Sequence, residues 1–229
     1  MFARQAILPP VAHIIYFVKG DPSIIPAYKK ALAPVGDFDF VVVAAKPDGL
    51  SSAYGRLADS LCDPANGRIC PALFSTYGAP RAPYETTTLA TFSAGYKFAE
   101  RTLAVPDDAD AIDAYVAIDS IHADFDPDHS AKDDQIEPFV SFARRAKCKE
   151  KLFWIGHSDV VTPQTGRMGY ASTTQVADEI VRLASGEGGL FLRRAYNVET
   201  SPVKEHVAAI QKWGPGFLAE AMKALLDTR

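Results

Sequence analysis

The sequence predicts an α/β domain built on a doubly wound, mainly parallel sheet of about six strands, with helices on both faces. Three observations predict it. Short runs dense in Val, Ile, Phe and Tyr alternate along the chain with stretches of helical period. Several of those runs are apolar throughout, as strands buried on both faces of a sheet must be. The polar residues able to do chemistry then fall just after the runs, at the carboxyl ends where open parallel sheets collect their sites.

The first strand is expected over residues 12–19, an apolar run closed by Lys19-Gly-Asp-Pro22, with a helix over 23–34. A second strand follows at 39–45 and a short helix at 51–61, and the Gly-, Pro- and Ala-rich stretch through Pro83 reads as an irregular loop. Thr86 to Phe92 reads as a short buried strand. After it, Tyr96, Ala99 and Leu103 recur at helical spacing, with Phe98 off that face. Pro106 to Asp110 reads as a turn, and Ala114 to Ile118 as a strong strand ending in Asp119-Ser-Ile-His122. An acidic loop spans 124–134, and helical period returns over 136–146 with Phe139, Phe142 and Ala143 on one side. The next strand, Lys151 to Ile155, runs into Gly156-His-Ser-Asp159. A capped helix over 172–185, a last strand over 190–196 and a helical segment from Val203, interrupted at Gly214-Pro-Gly216, complete the chain. There is no internal repeat and no sign of a second domain, so residues 1–229 are expected to form one domain.

Composition narrows the function. Hydrophobic residues make up 48% and charged residues 23%, a globular balance, and the net charge of −4 leaves no basic footprint for nucleic acid. No apolar run is long enough to cross a bilayer, and no signal-peptide layout precedes the first strand, so a cytoplasmic location is the default expectation. Cys62, Cys70 and Cys148 are odd in number and read as reduced thiols, although Cys62 and Cys70 could close a small loop in an exported protein. No Cys/His spacing suggests zinc. Asp124, Asp126 and Asp128 alternate as in a calcium loop, but His129 and Gln135 stand where such a loop needs Gly and Glu, so a solvated acidic loop is favoured over a metal. Gly186 to Gly189 precedes a strand and is no phosphate cradle.

The most informative stretch is Thr91-Phe-Ser-Ala-Gly95, where a strand reverses into a helix through small residues and lifts Ser93 onto a tight corner. It resembles the nucleophile elbow G-x-S-x-G of the α/β-hydrolase superfamily, with Thr91 where the first Gly usually stands. His206, after the last strand, looks like that superfamily's catalytic histidine. Two acids compete for the third position. Asp159 lies in a stretch resembling the acid turn past the penultimate strand and is preferred, while Asp119 lies past the preceding strand, a placement some members use.

The resemblance implies a small serine esterase or lipase-like enzyme without a large cap, using a Ser-Asp-His triad, an acyl-enzyme and no cofactor. It implies an oxyanion hole formed by the Ala94 amide and by Gly20 or Asp21 in the loop after the first strand. His122, His157 and Tyr96 are expected on the substrate rim, with packing as the alternative for both histidines. The expected substrate is a small or polymer-attached acyl ester, with no nucleic acid and no membrane span. Two other classes stay open: a non-catalytic binding protein of the same fold, and a doubly wound protein that binds phosphate or nucleotide.

Overall fold

A computed structural model describes residues 13–19, 22–45, 50–78, 84–126, 130–159, 170–198 and 202–229. Six strands form one parallel sheet: β1 (His13–Val18), β2 (Phe38–Val43), β3 (Thr86–Ser93), β4 (Ala114–Ser120), β6 (Leu152–Ser158) and β8 (Phe191–Tyr196), in the order β2-β1-β3-β4-β6-β8. The two-residue strands β5 (Ala123–Asp124) and β7 (Tyr170–Ala171) pair antiparallel outside it. β1 and β4 are buried along their whole length, which is why they read as unbroken apolar runs.

Alternation along the strands serves two cores. Ile14, Tyr16, Val18, Leu89, Tyr115 and Phe153 pack on one face, beneath α2 (Ser51–Leu61), α3 (Cys70–Tyr77), α4 (Tyr96–Leu103), α6 (Asp133–Lys147) and α7 (Thr173–Leu183). Ile15, Phe17, Ala90, Val116, Ile118 and Trp154 pack on the other, beneath α1 (Ile25–Leu32), α8 (Pro202–Lys212) and α9 (Gly214–Leu226). A six-residue helix, α5 (Pro106–Ala111), follows α4.

Four expectations are corrected. The stretch before Pro83 contains α3, whose first N–H groups are capped from outside: the buried Asp108 carboxylate accepts from Ile69 N at 2.5 Å and Cys70 N at 3.2 Å. Pro106 to Asp110 belongs to α5, with proline at the helix start and Asp107 and Asp108 in its first turn. Phe98 is fully buried beside Ala99, Thr102 and Leu103, so the inward face of α4 is rotated from the one its periodicity indicated. Gly214-Pro-Gly216, which reads as a break, starts α9 with proline in the first turn.

Candidate active site

The sheet order reverses between β1 and β3, because β2 lies on one side of β1 and every later strand of the sheet lies on the other. At such a switch point neighbouring loops leave in opposite directions and open a crevice at the strands' carboxyl ends. Ser93 ends β3 at this crevice and Lys19 follows β1 beside it.

Ser93 has a φ of 48°, the left-handed backbone of a sharp corner. The turn closes through Gly95 N donating to Phe92 O at 2.9 Å, and α4 begins at Tyr96. Glycine is required at 95 by close approach, since a Cβ there would stand 2.8 Å from Val18 O and 3.0 Å from Phe92 O. Thr91 occupies the position where the superfamily places glycine, and here its side chain is used. Its fully buried hydroxyl meets Tyr115 Oη at 2.9 Å and donates to Ser120 Oγ at 2.9 Å, and Ser120 Oγ donates to the Ser93 carbonyl at 2.9 Å. A chain of hydroxyls therefore holds the corner from beneath.

Above it, Ser93 Oγ lies 2.8 Å from His206 Nε2, and His206 Nδ1 lies 2.5 Å from Asp119 Oδ2. The imidazole stacks on Phe92 with ring centroids 5.1 Å apart, which fixes its plane. Asp119 is 2% exposed and its carboxylate is saturated: it also accepts from Tyr196 Oη and Thr173 Oγ1, both at 2.7 Å, and from Ser158 N at 3.2 Å. Burial alone would raise its pKa. The bond to His206, that residue's charge, and the bonds from Thr173 and Tyr196 outweigh it and hold the carboxyl at about 2.

The geometry puts Asp119, and not the preferred Asp159, against His206. β6 runs through Ser158, with His157 and Ser158 still paired to Ala195 and Tyr196 of β8. Asp159 is thereby carried to the exit of β8, exposed, where its N–H donates to Tyr196 O and its carboxylate accepts from Val198 N at 3.0 Å. Asp119, with a φ of 41°, turns at the end of β4 directly under His206.

His122 packs edge-to-face against Tyr96, Tyr170 and His206, at 5.7, 5.3 and 6.3 Å between ring centroids, so it adjoins the site. Burial lowers its pKa to about 4, which keeps it neutral at ordinary pH, and its Nδ1 is buried with no partner among the described residues. Tyr96 joins the same aromatic group through His122. His157 is buried, and its Nδ1 is engaged by Ser158 O at 2.7 Å and Thr174 Oγ1 at 3.1 Å, so it packs between β6 and α7. Ala94 is buried directly after Ser93, and its N–H donates to no other described residue. Gly20 and Asp21 lie outside the described residues.

Sequence reasoning missed several parts of the site. Lys19 Nζ donates to Ser93 Oγ at 3.2 Å, and the signal was its place as the first residue past β1. Thr173 and Tyr196, which hold Asp119, follow β7 and end β8, again at element boundaries. Thr91 and Ser120 carried no signal of their own, because a buried hydroxyl is recognisable only from what it meets.

No protein-family model matches the chain, and no curated protein matches its sequence. Solved structures do resemble it. The siderophore hydrolase EstA from Aspergillus nidulans is 16% identical with a TM-score of 0.51, over 96% of this chain and 84% of that one. The siderophore hydrolase EstB from the same organism is 14% identical (TM-score 0.49, over 95% and 81%). YbtT, a type II thioesterase of the yersiniabactin pathway, is 12% identical (TM-score 0.47, over 99% and 96%). The likeness to EstA, taken with the parallel sheet order, shows that this chain has the α/β-hydrolase fold.

Proposed function

We propose that this protein is an ester-hydrolysing enzyme, a serine hydrolase that works through Ser93, His206 and Asp119 and an acyl-enzyme intermediate. The observation that carries the reading is the continuous line from Ser93 Oγ through both ring nitrogens of His206 to Asp119, at 2.8 and 2.5 Å. A serine hydroxyl is a weak nucleophile until a base can take its proton. With Nδ1–H committed to Asp119, Nε2 is the free base facing Oγ, and the buried carboxylate stabilises the imidazolium as it forms.

Ser93 Oγ attacks the carbonyl carbon, its proton passes to His206 Nε2, and the carbonyl π pair moves onto oxygen. Collapse of that intermediate expels the alcohol, which takes the proton from His206, and water repeats the sequence on the acyl-enzyme. The Ala94 N–H is one donor for the oxyanion.

Among the described residues, the exposed large hydrophobic side chains are Leu50, Tyr170 and Val207. Val207 follows His206, Tyr170 packs on His122, and Leu50 precedes Ser51, whose side chain bonds Tyr96. The exposed Tyr170 ring beside His122 gives the site an apolar edge, which favours an ester with an apolar acyl or alcohol group.

Hydrolysis of short and medium p-nitrophenyl esters tests the reading. Ser93→Ala and His206→Ala are expected to lose at least about 10⁴-fold in kcat, and Asp119→Asn to fall by a comparable factor, while Asp159→Asn retains most activity. Wild type that neither turns over these esters nor reacts with a fluorophosphonate would defeat it.

A further inference from the structure

The hydroxyl of Ser93 has two partners, and the triad uses only one. The other is Lys19. Its Nζ donates to Ser93 Oγ at 3.2 Å and lies 5.8 Å from the centroid of the Phe92 ring, the ring that also supports His206. The backbone directs it there: Lys19 has a φ of 62°, and its N–H donates to Val43 O at 3.0 Å, which ties the residue to the end of β2 and turns its side chain across the switch point. The elbow leaves room for it, since a Cβ at Gly95 would lie 3.3 Å from Lys19 Cβ.

We propose that Lys19 is a catalytic residue whose ammonium stabilises the tetrahedral oxyanion alongside the Ala94 N–H; this rests on the serine-hydrolase reading above. In the resting site, Ser93 Oγ–H donates to His206 Nε2 and a lone pair on Oγ accepts from Lys19. On attack that oxygen bonds the carbonyl carbon, its proton goes to His206, and negative charge appears on the carbonyl oxygen, two bonds away from Oγ. An ammonium already within hydrogen-bond distance of Oγ reaches that oxygen by rotation about the terminal bonds of its own side chain. The contact is between an ion and a neutral hydroxyl before the reaction and between two ions at the intermediate. It therefore favours the transition state over the ground state and acts on kcat more than on KM. No redox step or further reactant is needed, and Lys19 keeps its proton throughout.

The competing role for such a lysine is to anchor a carboxylate carried by the substrate, which would act on KM. Wild type, Lys19→Met and Lys19→Arg are compared on a neutral p-nitrophenyl ester and on one carrying a carboxylate in its acyl chain. Binding of a trifluoromethyl ketone, which forms an anionic hemiketal with the serine, is measured in parallel. Lys19→Met is expected to lose about 10²–10³-fold in kcat on both esters with KM little changed, and to bind the ketone more weakly by a similar factor. Lys19→Arg, which keeps the charge, is expected to recover most of the loss. Should the Met variant fail to fold, Lys19→Gln, which keeps a donor without the charge, is judged by the same standard. Unchanged kcat and ketone affinity overturn the inference while leaving the triad standing, and so does a loss confined to KM for the carboxylate ester. Wild type inert towards both ester and ketone removes the serine-hydrolase reading itself.

Discussion

A φ of 48° at Ser93 is a conformation that a non-glycine residue keeps only where its surroundings hold it. Here the hold is the hydroxyl chain from Tyr115 through Thr91 and Ser120 to the Ser93 carbonyl. Ser120→Ala removes the last link, takes the hydroxyl donor from that carbonyl and leaves the Thr91 hydroxyl with Tyr115 Oη as its remaining partner in the chain. The expected cost is about 1–3 kcal/mol in chemical denaturation. A fall in kcat larger than the change in KM is expected with it, because the corner that aims Oγ is loosened. Unchanged stability and kcat would show that the chain of hydroxyls holds nothing. At Asp119 the ordinary carboxyl value of 3.8 is lowered to about 2 in the folded protein, so the folded state favours the ionised form more than the unfolded state does. Its contribution is fully present above about pH 4 and is lost as pH falls towards 2; at about 1.4 kcal/mol per unit it is on the order of 2 kcal/mol. Urea denaturation across that window is expected to show wild type losing stability that Asp119→Asn, already less stable at neutral pH, does not lose.

Among the elements, α3 shows how a helix can depend on a distant residue. Its N-cap, Ile69, makes no side-chain cap, and the Asp108 carboxylate from α5 supplies the acceptors instead, with Arg68 Nε also on it at 3.4 Å. Asp108→Ala strips the cap and leaves two N–H groups of a buried helix end unpaired. A loss of about 1–3 kcal/mol in thermal or chemical denaturation is expected, with ester kcat little changed because α3 holds none of the proposed triad. By contrast α7 carries its start signal locally: Ser172 and Gln175 form a reciprocal capping box, and the sequence placed that helix within two residues of its observed bounds.

For the whole molecule, the site is the meeting place of separate strand ends. β1 supplies Lys19, β3 Ser93, β4 Asp119 and β8 Tyr196, while α7 adds Thr173 and α8 His206. None of these contacts joins sequence neighbours; Ser93 and His206 are separated by 113 residues and Asp119 and His206 by 87. The parallel sheet makes the assembly possible because all its strands point their carboxyl ends the same way, and the reversal between β1 and β3 opens space above Ser93.

The amino-acid sequence by itself determined the fold class and most of the element order. Burial on both faces of a parallel sheet forces apolar runs such as residues 14–18 and 114–118, and amphipathic helices between them cover both faces. It also singled out Ser93, because a sharp strand-to-helix corner needs small residues at Ala94 and Gly95 whatever surrounds it, and His206 by its place after the last strand. Tertiary structure alone decided which acid meets His206. Asp119 and Asp159 each follow an apolar run, and only the extra pairing of His157 and Ser158 with β8, together with the turn at Asp119, sends one carboxylate under the imidazole and the other to Val198 N. The roles of Thr91 and Asp108 were undecidable from sequence for the same reason, and Lys19 was marked only by its place after the first strand. A polar side chain's role is set by the partner it finds across the fold, and local pattern records no partner.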